Sequence, residues 1–256
     1  MQIKDQIKSE ILLNKRIIRL DKFIEKALFE KNSYYSSMNP IGSGNDFITS
    51  PEISQIFGEI LGSYILHFWI TKINSKFNLI ELGPGQGTLF KDIYNSTKRE
   101  PIFLKNAKIT FVEKNKELIK VQKKIVDQLK LKNVTWKKNL NLRSKFPSII
   151  YSNEFFDCFP VRQFVFKDFW LEKFISFNKF SNSFFFKEKK VLSENLINLL
   201  KNYENEKIFE LSNKRNEYFE NICKFIKKNG GIIIVIDYGY DKKIKNFTLQ
   251  SIYKHR

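Results

Sequence analysis

The stretch Leu79-Ile80-Glu81-Leu82-Gly83-Pro84-Gly85-Gln86-Gly87-Thr88-Leu89 decides how the chain is read. A short apolar run ends in an acid, three alternating glycines follow, and a helical pattern then begins. The chain has only ten glycines, and none lies between Thr88 and Asn229. Three within five positions therefore call for a physical reason. Glycine reaches positive φ without a Cβ penalty and lets backbone approach a ligand closely. A glycine turn between a strand and a helix is where α/β folds hold nucleotide-like cofactors. A tight βα turn with no ligand is the plainer alternative.

Working outward, four more apolar segments read as strands of the same sheet. Phe77–Gly83 is strand one, Ala107–Glu113 strand two, Asn133–Lys138 a weaker third, Ser148–Glu154 strand four and Gly231–Gly239 strand five. Helical patterns at Leu89–Ser96, Lys116–Leu129 and Arg215–Lys228 separate some of them, which predicts a doubly wound parallel sheet. Lys98–Asn106 reads as a loop. From Arg162 to Lys190 aromatic and polar residues alternate, as in an antiparallel meander inserted after strand four at about 162–192. Residues 3–30 carry apolar residues at helical spacing and predict two short helices. A helix is expected from Pro51 to Ile73, with Ser50 as its cap and Gly58 and Gly62 suited to close packing. The predicted organisation is a helical extension and lid over residues 1–75, then an α/β domain over 76–256.

Composition narrows the function. A hydrophobic content of 42% in 256 residues supports a sizeable core. The formal charge of +18 invites a nucleic-acid reading, yet the lysines are spread along the chain without a compact basic cluster. Nucleic acid is therefore not the expected partner. Two cysteines and two histidines offer no disulfide framework or metal pattern. No apolar run reaches the ~20 residues that span a bilayer. The N-terminus has neither a signal-peptide core nor the acid-free character of a transit peptide, so a cytoplasmic protein without membrane insertion is expected.

The spacing GPGQG is not the dinucleotide fingerprint G-x-G-x-x-G, and Pro84 stiffens the turn. With an acid two residues ahead, the pattern (E/D)-x-G-x-G-x-G suits S-adenosylmethionine. The loop passes under the methionine half while Glu81 faces the cationic amino group; NAD is the second choice. Strand two ends in Glu113, whose carboxylate can accept from both hydroxyls of a ribose. Its alternative is a solvated acid among lysines. Strand four ends in Asn153-Glu154-Phe155-Phe156-Asp157, a credible place to hold a methyl acceptor in line with a sulfonium. If the acceptor is an arginine, its guanidinium stays charged and carboxylates there can orient it in a fork. Adenine methylation would call for Asn/Asp-Pro-Pro-aromatic, which the chain lacks. Acids at a helix N-terminus are the alternative reading. Strand five ends in Asp237-Tyr238-Gly239-Tyr240, where Asp237 points to the cleft or marks a turn.

Several segments together resemble the MidA-like methyltransferases, a family that includes a mitochondrial complex I assembly factor acting on an arginine of a complex I subunit. They are LDKFIEKALF, GNDFITSPEISQIFGEILG, IELGPGQGTLFKDI, FVEKN, SNEFFDCFPVRQF, FELS and GIIIVIDYGY, in order from about residue 20 to the end. The second is the most specific. The resemblance implies a class I S-adenosylmethionine-dependent methyltransferase fold and a protein arginine as acceptor, with a complex I subunit as the expected protein. It implies cofactor binding by Glu81, Gly83, Gly85, Gly87 and Glu113, and an acceptor site of Asn153, Glu154 and Asp157. Asp46, Thr49, Ser50, Pro51 and Glu52 would form a lid or cofactor-edge segment. Family members continue past Arg256, so the last strands are expected to be missing. Strand five would then be an exposed apolar edge; either another segment, a partner or a dimer covers it, or the chain is a truncated copy. A shortened, non-catalytic assembly factor and a nucleic-acid methyltransferase are the alternative functions.

Overall fold

The computed structural model describes residues 2–14, 16–30, 33–34, 50–140, 142–239 and 249. These divide into two compact units, one within residues 39–157 and 217–238, the other within 1–38 and 158–216 with 239 and 249.

In the first unit, Ser50–Ile53 forms a one-turn helix α3 and Gln55–Phe68 a longer helix α4. The single helix expected over 51–73 is thus interrupted. Ser54 is extended, with φ −147° and ψ 120°, and the end of α4 widens into a π turn over Trp69–Ile73 that stops at Asn74 with φ 44°. Beyond it run β2 (Phe77–Leu82), α5 (Thr88–Thr97), α6 (Pro101–Asn106), β3 (Ala107–Val112), α7 (Lys116–Gln128), β4 (Val134–Lys137) and β5 (Ser148–Asn153). After the second unit's residues, helix α9 (Asn213–Asn229) leads back to β10 (Gly231–Ile236). The segment expected as a loop at 98–106 holds α6, which Pro101 starts at its first position.

The sheet order is β10-β5-β2-β3-β4, and all four pairings are parallel. From β2 the chain steps outward through β3 to β4, then returns to lay β5 on the other side of β2. The order reverses between β2 and β5, which is where open α/β sheets bind ligands. Continuous burial explains the parallel arrangement. Every residue of β2 is buried, and helices cover the strands as parallel sheets require. The core includes Leu79, Phe90, Phe103, Ile109, Phe111, Ile149 and Tyr151.

Gly58 and Gly62 let α4 and α5 cross closely. A Cβ at Gly62 would lie 2.1 Å from Ser96 Oγ and 2.8 Å from Ile93 Cα, and one at Gly58 would lie 2.4 Å from Asp92 Cβ. Among the described residues β10 pairs only with β5, and Val235 on it is exposed.

The second unit begins with α1 (Ile3–Leu13), a two-residue strand β1 (Ile18–Arg19) and α2 (Leu20–Phe29). The two expected helices are present, with β1 between them. The meander follows as β6 (Arg162–Phe166), β7 (Trp170–Asn178) and β8 (Ser183–Lys190), all antiparallel. A helix α8 (Glu194–Leu200) and a strand β9 (Ile208–Leu211) complete the unit. β1 pairs with β7 and β9 with β6, so this sheet recruits strands from both ends of its sequence. An ion pair braces it, with Arg162 Nε donating to Glu172 Oε1 at 2.7 Å and Nη2 to Oε2 at 2.8 Å. Among the described residues no helix is long and apolar enough to cross a membrane.

Candidate functional site

The glycine turn closes β2 and opens α5. Gly83, Gly85 and Gly87 have φ of 64°, 54° and 85°, so all three occupy the left-handed region where a side chain is strained. The turn is tied to its neighbours by two backbone bonds. Gly83 N–H donates to the Val112 carbonyl at 3.0 Å, and Gly87 N–H to the Pro84 carbonyl at 2.7 Å. Phe155 lies against it, because a Cβ at Gly83 would come within 2.8 Å of Phe155 Cδ2.

Glu81 lies opposite Tyr151 in the β2–β5 register and accepts from its hydroxyl at 3.0 Å. Its side chain is 2% exposed, and burial pushes its pKa from 4.5 up to about 8, partly offset by the Tyr151 hydrogen bond. Keeping an acid in the apolar centre of a sheet is costly. A cation delivered against this carboxyl would restore its ionised form, and the residue makes sense as one half of such a pair.

Glu113 follows β3. Its Oε1 accepts from the backbone N–H groups of Lys114 and Asn115, both at 2.8 Å. Burial raises its pKa, and those two bonds oppose the rise. Its Oε2 receives one longer bond, 3.4 Å from Gln122 Nε2, so accepting capacity remains for a ligand hydroxyl. The same Gln122 Nε2 donates to the Gly85 carbonyl at 2.7 Å, and Gln122 Oε1 accepts from Trp136 Nε1 at 3.0 Å.

Gln122 is not among the candidates named from the sequence; it sits among Lys120, Lys123 and Lys124, as a solvated residue would. Its signal was positional. Leu118, Gln122 and Val126 form one stripe at spacing four on α7, and all three are buried.

On the other side of the switch point, β5 delivers Asn153, Glu154 and Asp157. Glu154 adopts φ 51°, a turn conformation in a non-glycine residue. Asn153 Nδ2 donates to Glu154 Oε1 at 3.4 Å, while the buried Asn153 Oδ1 has no hydrogen-bond partner among the described residues. Burial raises the Glu154 pKa, and nearby Asp157 raises it further. Asp237, at the end of β10, fastens this turn. Its Oδ2 accepts from Phe156 N–H at 2.9 Å and Asp157 N–H at 3.2 Å, and its Oδ1 from Tyr238 N–H at 2.9 Å. Phe155 and Phe156 stack edge-on at 5.3 Å, and Tyr218 from α9 joins them at 5.7 Å from Phe155.

Pro51 is buried and Glu52 half-buried in α3, which packs against α5, the helix that the glycine turn opens. Asp46 and Thr49 lie outside the described residues, as does Tyr240.

Comparison with known proteins agrees with this geometry. Residues 60–256 match the family described as "Putative S-adenosyl-L-methionine-dependent methyltransferase". The mitochondrial protein arginine methyltransferase NDUFAF7 of Homo sapiens is 31% identical over 249 residues, covering 87% of this chain and 56% of the relative. That of Mus musculus is 30% identical with the same coverage. The chain therefore spans about half the length of these relatives. Among solved structures, a "likely methyl transferase" from Burkholderia thailandensis bound to S-adenosyl-homocysteine superposes with a TM-score of 0.77 at 20% identity, over 93% of this chain and 62% of that one. Sheet order, glycine turn and family match converge: the chain belongs to the MidA-like family of S-adenosylmethionine-dependent methyltransferases.

Proposed function

We propose that this chain binds S-adenosylmethionine and transfers its methyl group to an arginine of a protein, in the service of respiratory complex I assembly. The observation that carries the reading is Glu81, a buried carboxyl raised to about 8 beside a turn of three positive-φ glycines. That pairing of features fits a ligand whose cation sits at the carboxyl and whose backbone-hugging part lies on the turn. The names of the relatives, protein arginine methyltransferases, support the acceptor.

In this reading Glu81 meets the ammonium of the methionine half, and Glu113 accepts from the ribose hydroxyls through its less engaged oxygen. The cofactor supplies an electrophilic methyl group on a sulfonium. The chain's own work is then positioning. Asn153 Oδ1 accepts one guanidinium N–H, and the carboxylates of Glu154 and Asp157 fix its plane. The nitrogen that gains a methyl must lose a proton, and Glu154, with its raised pKa, is the group that takes it. Phe155 and Tyr218 wall the acceptor away from water. Asp237 holds the turn on which these groups sit.

The test is incubation of the purified protein with S-adenosylmethionine carrying a labelled methyl group and a cell lysate, followed by mass spectrometry of the labelled fraction. Label on arginine that disappears with Glu154→Gln supports the proposal. Label on nucleic acid, or on a different side chain, removes the arginine reading.

A further inference from the structure

Gln122 is 0% exposed, on the core-facing stripe of α7. A leucine or methionine would fill that place without the cost of burying an amide, so the amide has to be accounted for by its partners. It has three, each from a different element. The Gly85 carbonyl comes from the turn after β2, Glu113 Oε2 from the end of β3, and Trp136 Nε1 from β4. The indole N–H can only donate, so it must meet the amide oxygen. That choice leaves the NH2 group directed at the glycine turn and at Glu113. Trp136 is itself fixed edge-on against Phe111, with ring centroids 5.6 Å apart at 77°.

The same helix limits the turn from below. A Cβ at Gly87 would approach Ile125 Cδ1 at 3.3 Å and Gln122 Cγ at 3.6 Å. One amide therefore spans the gap between the glycine turn and the acid after β3.

We infer that Gln122 is a positioning residue of the cofactor site, setting the spacing of the glycine turn from Glu113, with Trp136 as its orienter. The inference rests on the proposed binding of S-adenosylmethionine at that turn. Gln122 acts on the ligand only through Gly85 and Glu113. Its N–H also favours the ionised form of Glu113 against burial, after the two backbone N–H groups.

The test is calorimetric titration of the purified chain and its variants with S-adenosylhomocysteine, between about pH 5.5 and about pH 8 to bracket the carboxyl groups. Gln122→Met keeps the length and removes the donor, and should weaken binding about tenfold. Gln122→Glu separates positioning from packing. When ionised it sets a second carboxylate beside Glu113 and has no proton to donate. When protonated it can donate to the Gly85 carbonyl and still accept from Trp136. The ratio of its Kd to that of the unaltered protein should therefore shrink as pH falls. The Gln122→Met ratio should change far less. Trp136→Phe frees the amide to rotate and should weaken binding about threefold.

Unaltered protein that binds, with Gln122→Met within about twofold of it or with a pH-independent Gln122→Glu ratio, overturns the inference. If Gln122→Met does not fold, the Gln122→Glu ratio and Trp136→Phe decide. Well-folded unaltered protein that fails to bind removes the cofactor reading, and this inference with it.

Discussion

The two sides of the switch point are built differently. On the β2–β3 side the groups that face the turn are held from within the protein. Glu81 is held by Tyr151, Glu113 by two backbone N–H groups, and the glycine turn by Gln122. On the β5–β10 side, Asn153 Oδ1 lacks a hydrogen-bond partner among the described residues, Asp157 is exposed, and Tyr238 is 76% exposed. The first side is pre-formed for a small ligand of fixed shape. The second is more open and has one buried acceptor oxygen unmet; on the proposed function it is where an acceptor carried on another macromolecule would bring hydrogen bonds with it. On the proposed function, the contrast teaches that one site can be rigid towards a cofactor and adaptable towards a substrate when the two contact different strands.

Substitutions can break this contrast or sharpen it. Gly85→Val should have the largest effect, because a β-branched residue at φ 54° must move the turn. S-adenosylhomocysteine affinity, read by calorimetry, should fall by roughly hundredfold or more. Unchanged affinity would mean that the turn is only structural. Glu154→Gln should lower the methyl transfer rate by about a hundredfold while leaving cofactor affinity within about twofold. Equal losses in both would merge the two sides into one. Asp237→Ala should act more weakly, by releasing the turn that carries Glu154. The KM for the acceptor should rise by about tenfold, with the cofactor Kd unmoved. Least affected should be Asp92→Asn, a stability change outside both sides. Asp92 is 4% exposed, burial raises its pKa from 3.8 to about 6, and its Oδ2 has no partner among the described residues. Removing an acid that must pay to ionise should stabilise the protein by about 1 kcal/mol above pH 6, or roughly 2–4 °C in Tm.

The first side was legible from sequence and the second partly so, for physical reasons. Continuous apolar runs mark β2, β3 and β5 because both faces of the sheet are buried there, and three glycines in five positions announce a backbone that other residues avoid. Glu154 and Asp157 could be named from their place at a strand end. The fastening of their turn by Asp237 could not, because it joins residues about eighty positions apart. Other features depended on partners rather than on pattern. β1 is two residues long and exists through its pairing with β7. β9 is four residues drawn to β6. The break at Ser54 carries no glycine or proline to betray it. Gln122 was hidden by the lysines beside it, since a polar residue in a charged helix looks solvated until the helix's buried stripe is known.

The central claim is that Glu81 is a neutral acid waiting for a cation. In the folded protein its pKa is about 8 against 4.5 for an ordinary glutamate. Between those values the folded chain binds more protons than the unfolded one, so this group's contribution to stability is lost as pH rises. A bound ammonium reverses the preference and drives the proton off. Titration with S-adenosylhomocysteine near pH 6.5, in two buffers of different ionisation enthalpy, measures that release directly. The account predicts binding with release of roughly one proton per molecule bound, abolished in Glu81→Gln. Binding with no proton released, or equal release from Glu81→Gln, would contradict it.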